Sequence, residues 1–192
     1  MFKILYASDL HGSTLMFKKL VNASIMYGAD AVVVGGDITG KGIVPVVRAG
    51  DSYYAVIYGS KYEARSREEL NKLLDKIAEY GFYSHIVEDP SELARLDQEQ
   101  YFERLISEYM EKRLQEWAEY ARRKLSGRKI EFYVMPGNDD PYIIDRALNE
   151  IDIFTNHDGK VLTIGKTGEE YILVGYAKTN ITPWRCARDV DE

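Results

Sequence analysis

The chain has 192 residues, 45% of them hydrophobic, with 25 basic and 31 acidic side chains and a net charge of -6. That length supports one good core and a further small block, and the acidic balance excludes the broad positive field of non-specific nucleic-acid binding. The single cysteine, Cys186, excludes an internal disulfide and a thiolate-rich zinc site, so any metal must be held by oxygen and imidazole.

The opening apolar stretch turns polar at Ser8-Asp9, too early for a secretory signal, and no apolar run reaches membrane-spanning length. A cytoplasmic protein with no membrane segment is expected. Phe2 to Ala7 reads as a strand, followed by a loop and a helix with Phe17, Leu20, Val21 and Ser24 on one face. Gly28 is placed to close that helix, and Ala31 to Val34 is a β-branched run suited to a buried strand. The unit is βαβ, which predicts a parallel pair whose strands end at the same sheet edge.

From Lys41 the pattern changes. Ile43 to Ala49, a Gly50-Asp51 turn and Ser52 to Tyr58 read as a hairpin. Ser66 with Glu69 forms a capping box for a helix striped by Leu70, Leu73, Leu74 and Ile77 and stopped by Gly81; Phe82 to Val87 is a further strand. Together these make a small α+β insertion over about residues 41–97. A long helix is expected over about 97–124, with Phe102, Ile106, Tyr109, Leu114, Trp117 and Ala121 facing inward. Ile130 to Met135 resumes the strand pattern, Asp140 is placed to N-cap a short helix opened by Pro141, and Lys160 to Ile164 with Tyr171 to Ala177 form a second hairpin. Residues from Lys178 onward show no periodicity.

Three polar clusters follow buried strands: Asp9-Leu10-His11-Gly12, Gly35-Gly36-Asp37 and Gly137-Asn138-Asp139-Asp140. Ligands collect at the carboxyl ends of strands in α/β sheets. Asp9 and His11, two apart in an extended strand end, would point the same way and grip one cation. Asp37 can bridge two cations, and the neutral oxygen of Asn138 suits a hard or borderline metal beside enough negative charge. Such cations reverse the local field, which makes a small phosphorylated substrate compatible with the acidic chain.

Asp-x-His-Gly, Gly-Gly-Asp and Gly-Asn-(His)-Asp, in this order and at strand ends, resemble the calcineurin-like metallophosphoesterases. The resemblance covers residues 1 to 40 and 130 to 180. It implies an α/β fold of the metallophosphoesterase type, a four-layer αββα sandwich carrying the small α+β insertion, and hydrolysis of phosphomonoesters or phosphodiesters. Two metal ions, Mn, Fe or Zn, would activate a hydroxide. Carried over by position, Asp9 and His11 bind the first metal, Asp37 bridges both, and Asn138 binds the second.

Two departures qualify what the resemblance implies. The family's histidine after Asn is replaced by Asp139, the candidate catalytic substitute; a carboxylate beside cations is held ionised and makes a poor general acid, unless a residue from elsewhere takes over. The later His-bearing strand end and Gly-His-x-His motif of the family are absent, so the fold is expected to be incomplete at its C-terminus. Three protein ligands then remain for the first metal and two for the second, and at most one ion is expected to be held well. The missing strands would leave an exposed edge and apolar surface favouring a homo-oligomer. The alternative is a non-catalytic scaffold that keeps the fold and a partial metal site. Outside the motifs, His85 and His157 are set against ligand roles, His157 because Asn156, Asp158 and Gly159 around it read as a turn. Tyr53, Tyr54 and Tyr58 read as strand packing, with lining of a substrate mouth as the functional alternative, and Cys186 as an ordinary thiol.

Overall fold

The structure, a computed structural model, describes residues 1–191. It is a mixed α/β protein with parallel and antiparallel sheets. β1 (Ile4–Ala7), β2 (Ala31–Val34), β7 (Glu131–Val134) and β8 (Thr155–Asn156) form a parallel sheet in the order β1-β2-β7-β8. Every residue of β2 is buried, as its unbroken Ala-Val-Val-Val run requires of a strand covered on both faces. α1 (Thr14–Met26) buries Phe17, Leu20, Val21 and Ser24, and the Ser13 hydroxyl caps it by accepting the Met16 N–H.

On the helical side of this sheet, α1 packs against α4 (Glu99–Leu125), with the Phe17 and Trp117 rings stacked at 4.4 Å. α4 buries Met110, Leu114, Trp117, Ala118 and Ala121; the six positions expected to face inward are all buried or half-buried. α5 (Ile144–Glu150) adds Ile144, Ala147 and Leu148 to the same core. The opposite face is covered by the hairpin of β9 (Val161–Lys166) and β10 (Glu169–Val174), through Phe2, Val33, Tyr133 and Ile164. Val161, Ile172 and Val174 of the hairpin are exposed.

The inserted block has a core of its own. β3 (Ile43–Ala49), β4 (Ser52–Ile57), β5 (Ser60–Ala64) and β6 (Tyr83–Val87) form a sheet in the order β5-β4-β3-β6, antiparallel except for the β3–β6 pair. α2 (Arg67–Glu79) packs Leu73 and Ile77 against Val44, Val46, Ala55 and Ile57. The expected hairpin is thus a three-stranded meander. β5 escapes sequence reading because Ser60-Lys61-Tyr62-Glu63 is mostly polar and owes its strand character to β4. At the start of α2 the Ser66 hydroxyl accepts the Glu69 N–H at 3.1 Å, while the Glu69 carboxylate accepts the Arg65 N–H at 2.7 Å. The reciprocal bond of the capping box therefore lands one residue earlier than in the usual pattern. A four-residue α3 (Leu93–Leu96) precedes α4, and two-residue strands β11 (Thr179–Asn180) and β12 (Asp189–Val190) pair in parallel near the end. No described helix is long and apolar enough to cross a membrane.

Burial pushes the imidazoles of His85 and His157 below their ordinary value, and buried His157 Nδ1 and His85 Nε2 have no hydrogen-bond partner among the described residues. Above the unfolded imidazole value both states are neutral and stability is complete. As pH falls through it, the unfolded chain takes up protons first and stability declines until the lower folded values are passed. The histidines should therefore lower the urea midpoint between about pH 7.5 and about pH 5.5, and His157→Gln should flatten the slope.

Candidate metal centre

Parallel pairing of β1, β2 and β7 brings the loops that follow them to one edge of the sheet. Asp9 N–H donates to Gly36 O at 3.0 Å, His11 N–H to Asp37 O at 2.8 Å and Gly12 N–H to Ile38 O at 2.8 Å, so the first two loops are zipped together beyond the strand ends. One ligand atom each from Asp9, His11 and Asp37 lies within 4.8 Å of the others. The geometry that achieves this is not the extended strand end expected from the spacing. β1 stops at Ala7, and Asp9, His11 and Asp37 take φ values of 60°, 41° and 50°. Left-handed backbone at a non-glycine residue costs about 1 to 3 kcal/mol and persists only where the surroundings impose it. Here the strain falls on the three side chains that converge.

Asn138 lines the same cleft as Asp9 and Asp37, a space of about 220 Å³. Its Nδ2 donates to Asp189 at 3.2 Å. An ionised carboxylate only accepts, which fixes the amide nitrogen on Asp189 and leaves Asn138 Oδ1 as the cation-seeking oxygen. The Thr182 hydroxyl first, then the Thr182 and Cys186 N–H groups and Asn138, hold Asp189 down to about 2. Asp139 stands beside His11, with Oδ2 4.0 Å from Nδ1, and pairs closely with Lys41. Its own N–H donates to Asp37 Oδ1 at 3.2 Å. Gly137 is required here, since a Cβ would stand 2.1 Å from Asp37 Oδ1. All five residues expected at the site are thus brought to one place.

Burial, with the negative charges of Asp140 and Asp9, raises the pKa of Asp37, against the opposing pull of His11 and Lys41. The cluster carries more like charge than its own cations balance, which is the condition a divalent ion relieves.

No family model, curated protein or solved structure matches this chain. The site is therefore read from its own chemistry. Two carboxylates, an imidazole and an amide oxygen form a donor set for borderline and hard divalent ions such as Mn, Fe and Zn.

Asp140 is not a helix cap. Its carboxylate, 1% exposed, accepts the Ile38 N–H at 3.0 Å, the Thr39 N–H at 2.9 Å, the Thr39 hydroxyl at 2.6 Å and the Gly137 N–H at 2.8 Å, while the next helix begins at Ile144. Four donors from two loops saturate the carboxylate and tie the Asp37 loop to the Asn138 loop. The aperiodic C-terminal stretch clamps the same loop: Arg188 N–H donates to Asn138 O at 2.9 Å, and its buried guanidinium to Asp140 O at 2.8 Å and to Asp145. Nothing in sequence spacing announces Arg188, Asp189 or Lys41. His85 lies in the inserted block, its Nδ1 2.8 Å from the Tyr109 hydroxyl, and His157 is buried after β8; neither joins the cluster. Tyr53, Tyr54 and Tyr58 pack within the inserted block, whereas Tyr6 and Tyr176 line the cleft. Cys186 is half-buried, with Sγ 3.7 Å from the Thr182 hydroxyl.

Proposed function

We propose that this chain carries the metal-site loops of a calcineurin-like metallophosphoesterase, a metal-dependent hydrolase of small phosphate esters. The observation that carries the reading is the convergence of Asp9, His11 and Asp37, each on left-handed backbone, at the carboxyl edge of a parallel sheet. The four-layer αββα sandwich belongs to the same reading. The helix layer, parallel sheet and β9–β10 hairpin are compatible with it.

Asp9, His11 and Asp37 would hold one cation; Asp37 and Asn138 would hold a second, with two protein ligands among the described residues. Bound there, such ions supply Lewis-acid activation of water and neutralisation of phosphoryl oxygens. The protein's own groups do the rest. Zipped loops fix the ligands before substrate arrives, so little reorganisation remains. Asp189 orients the Asn138 amide. Lys41 is the residue that takes up the role left open by the Asp139 replacement: an ammonium beside Asp139 neutralises its charge and can turn to a phosphoryl oxygen. Lys41→Ala should lower kcat/KM about a hundredfold, the scale for losing one positioned charge donor. Manganese affinity, measured by titration calorimetry, should hold or rise, because a positive neighbour has been removed.

Hydrolysis of an activated aryl phosphodiester by the purified protein with added manganese, beside Asp37→Asn, tests the reading. Manganese-dependent turnover in the wild type alone is expected. Equal activity in both proteins would sink it, and activity in neither would favour the cation-binding scaffold.

A further inference from the structure

The inserted block meets the loop that carries His11 at a junction built around a buried arginine. Arg113 lies on α4, 8% exposed, far in sequence from the loops it contacts. One Nη donates to Gly12 O at 2.6 Å, immediately after His11; the other donates to Phe82 O at 3.1 Å, immediately before β6. Its guanidinium lies 5.0 Å from the centre of the Tyr83 ring, and the Tyr83 hydroxyl accepts the Gly40 N–H at 2.9 Å. One planar fork therefore holds the carbonyls of a ligand-bearing loop and of the inserted block at once.

Three backbones meet beneath it with no room for side chains. A Cβ on Gly12 would stand 2.7 Å from both Gly40 N and Gly81 O, one on Gly40 would stand 1.9 Å from Gly81 O, and one on Gly81 would stand 2.2 Å from His11 O. Gly12 follows His11, Gly40 follows the Asp37 loop, and Gly81 closes α2. The Ser13 hydroxyl adds a bond to Glu79 O. Packing this close transmits displacement rather than absorbing it.

We propose that Arg113 is a positioning residue through which the inserted block sets the placement of His11, and hence the cation affinity of the site. The affinity part rests on the metallophosphoesterase reading; the mechanical part does not. Arg113→Met keeps length and apolar stem but removes the fork. In the cation-free protein it should speed amide exchange at His11 and Gly12, whose N–H groups bond to Asp37 O and Ile38 O, by about tenfold, with exchange in β2 and β7 unchanged. Arg113→Lys, able to reach one carbonyl but not both, should fall between. Manganese affinity, by titration calorimetry, should drop about tenfold to a hundredfold in Arg113→Met, as for groups that orient a metal ligand. Should Arg113→Met fail to fold, Tyr83→Phe removes only the Gly40 contact, and its expected signature is faster exchange at Gly40 and Gly12. Unchanged exchange at these amides in a folded variant overturns the proposal. Wild-type protein that binds no manganese while the exchange changes appear would instead overturn the metal reading and leave the coupling standing.

Discussion

Asp37→Asn should leave a protein that is at least as stable as the wild type without metal and indifferent to manganese. In the folded chain the Asp37 carboxylate is held above its ordinary pKa by burial and by Asp140 and Asp9. A raised carboxylate contributes most to stability when protonated, and that contribution is lost as pH rises from the unfolded value through the folded one. At neutral pH the ionised group is therefore a net cost, and a neutral amide of the same shape removes it while its Oδ1 still accepts the Asp139 N–H. Wild-type protein should respond in the opposite way to metal. At a hundredfold excess of manganese over its dissociation constant, unfolding free energy should rise by about 2.7 kcal/mol. The variant should lose most of that rise, together with manganese-dependent hydrolysis, because Asp37 is the one ligand both cations would share. Thermal unfolding with and without manganese checks both arms. A variant that retains the full metal-induced shift would place the cation elsewhere.

Asp140→Ala should have the largest effect on stability of any single change at the site. The carboxylate is 1% exposed and its removal orphans three backbone N–H groups, of Ile38, Thr39 and Gly137, and the Thr39 hydroxyl. A loss of about 3 to 5 kcal/mol is expected, since buried donors left unsatisfied keep their full desolvation cost. Asp140→Asn keeps the shape but turns an amide NH2 toward a donor, and should lose about 2 kcal/mol. Urea unfolding measures both. A near-neutral Asp140→Ala would mean that the Asp37 and Asn138 loops are held by the Arg188 clamp instead.

The β1-α1-β2 unit, α2, α4 and both hairpin turns were legible because each signal is local. Phe17, Leu20, Val21 and Ser24 recur at helical spacing, Ser66 and Glu69 sit one helical turn apart, and Gly50-Asp51 supplies the positive φ its turn needs. β5 was not legible, because five residues that include Ser60, Lys61 and Glu63 become a strand only by pairing with β4. His157 follows a short strand, β8, rather than sitting in an isolated turn, because β7 lies alongside to receive it.

The same division holds within the site. Residue type and order along the chain singled out Asp9, His11, Asp37 and Asn138, since chemistry that grips a cation needs carboxylate, imidazole and amide oxygen and each cluster follows a recognisable strand, while Asp139 was added only by the resemblance, as the residue after Asn138. How those groups converge was decided by the tertiary structure. The left-handed backbone at Asp9, His11 and Asp37 comes with hydrogen bonds between loops, and the roles of Asp140, Lys41, Arg113, Arg188 and Asp189 come from contacts made across the fold. Local composition can nominate a ligand. Only a folded chain can bring a carboxylate at position 140 to two amides about a hundred residues away, because the free energy of that contact exists only after the intervening strands and helices have packed.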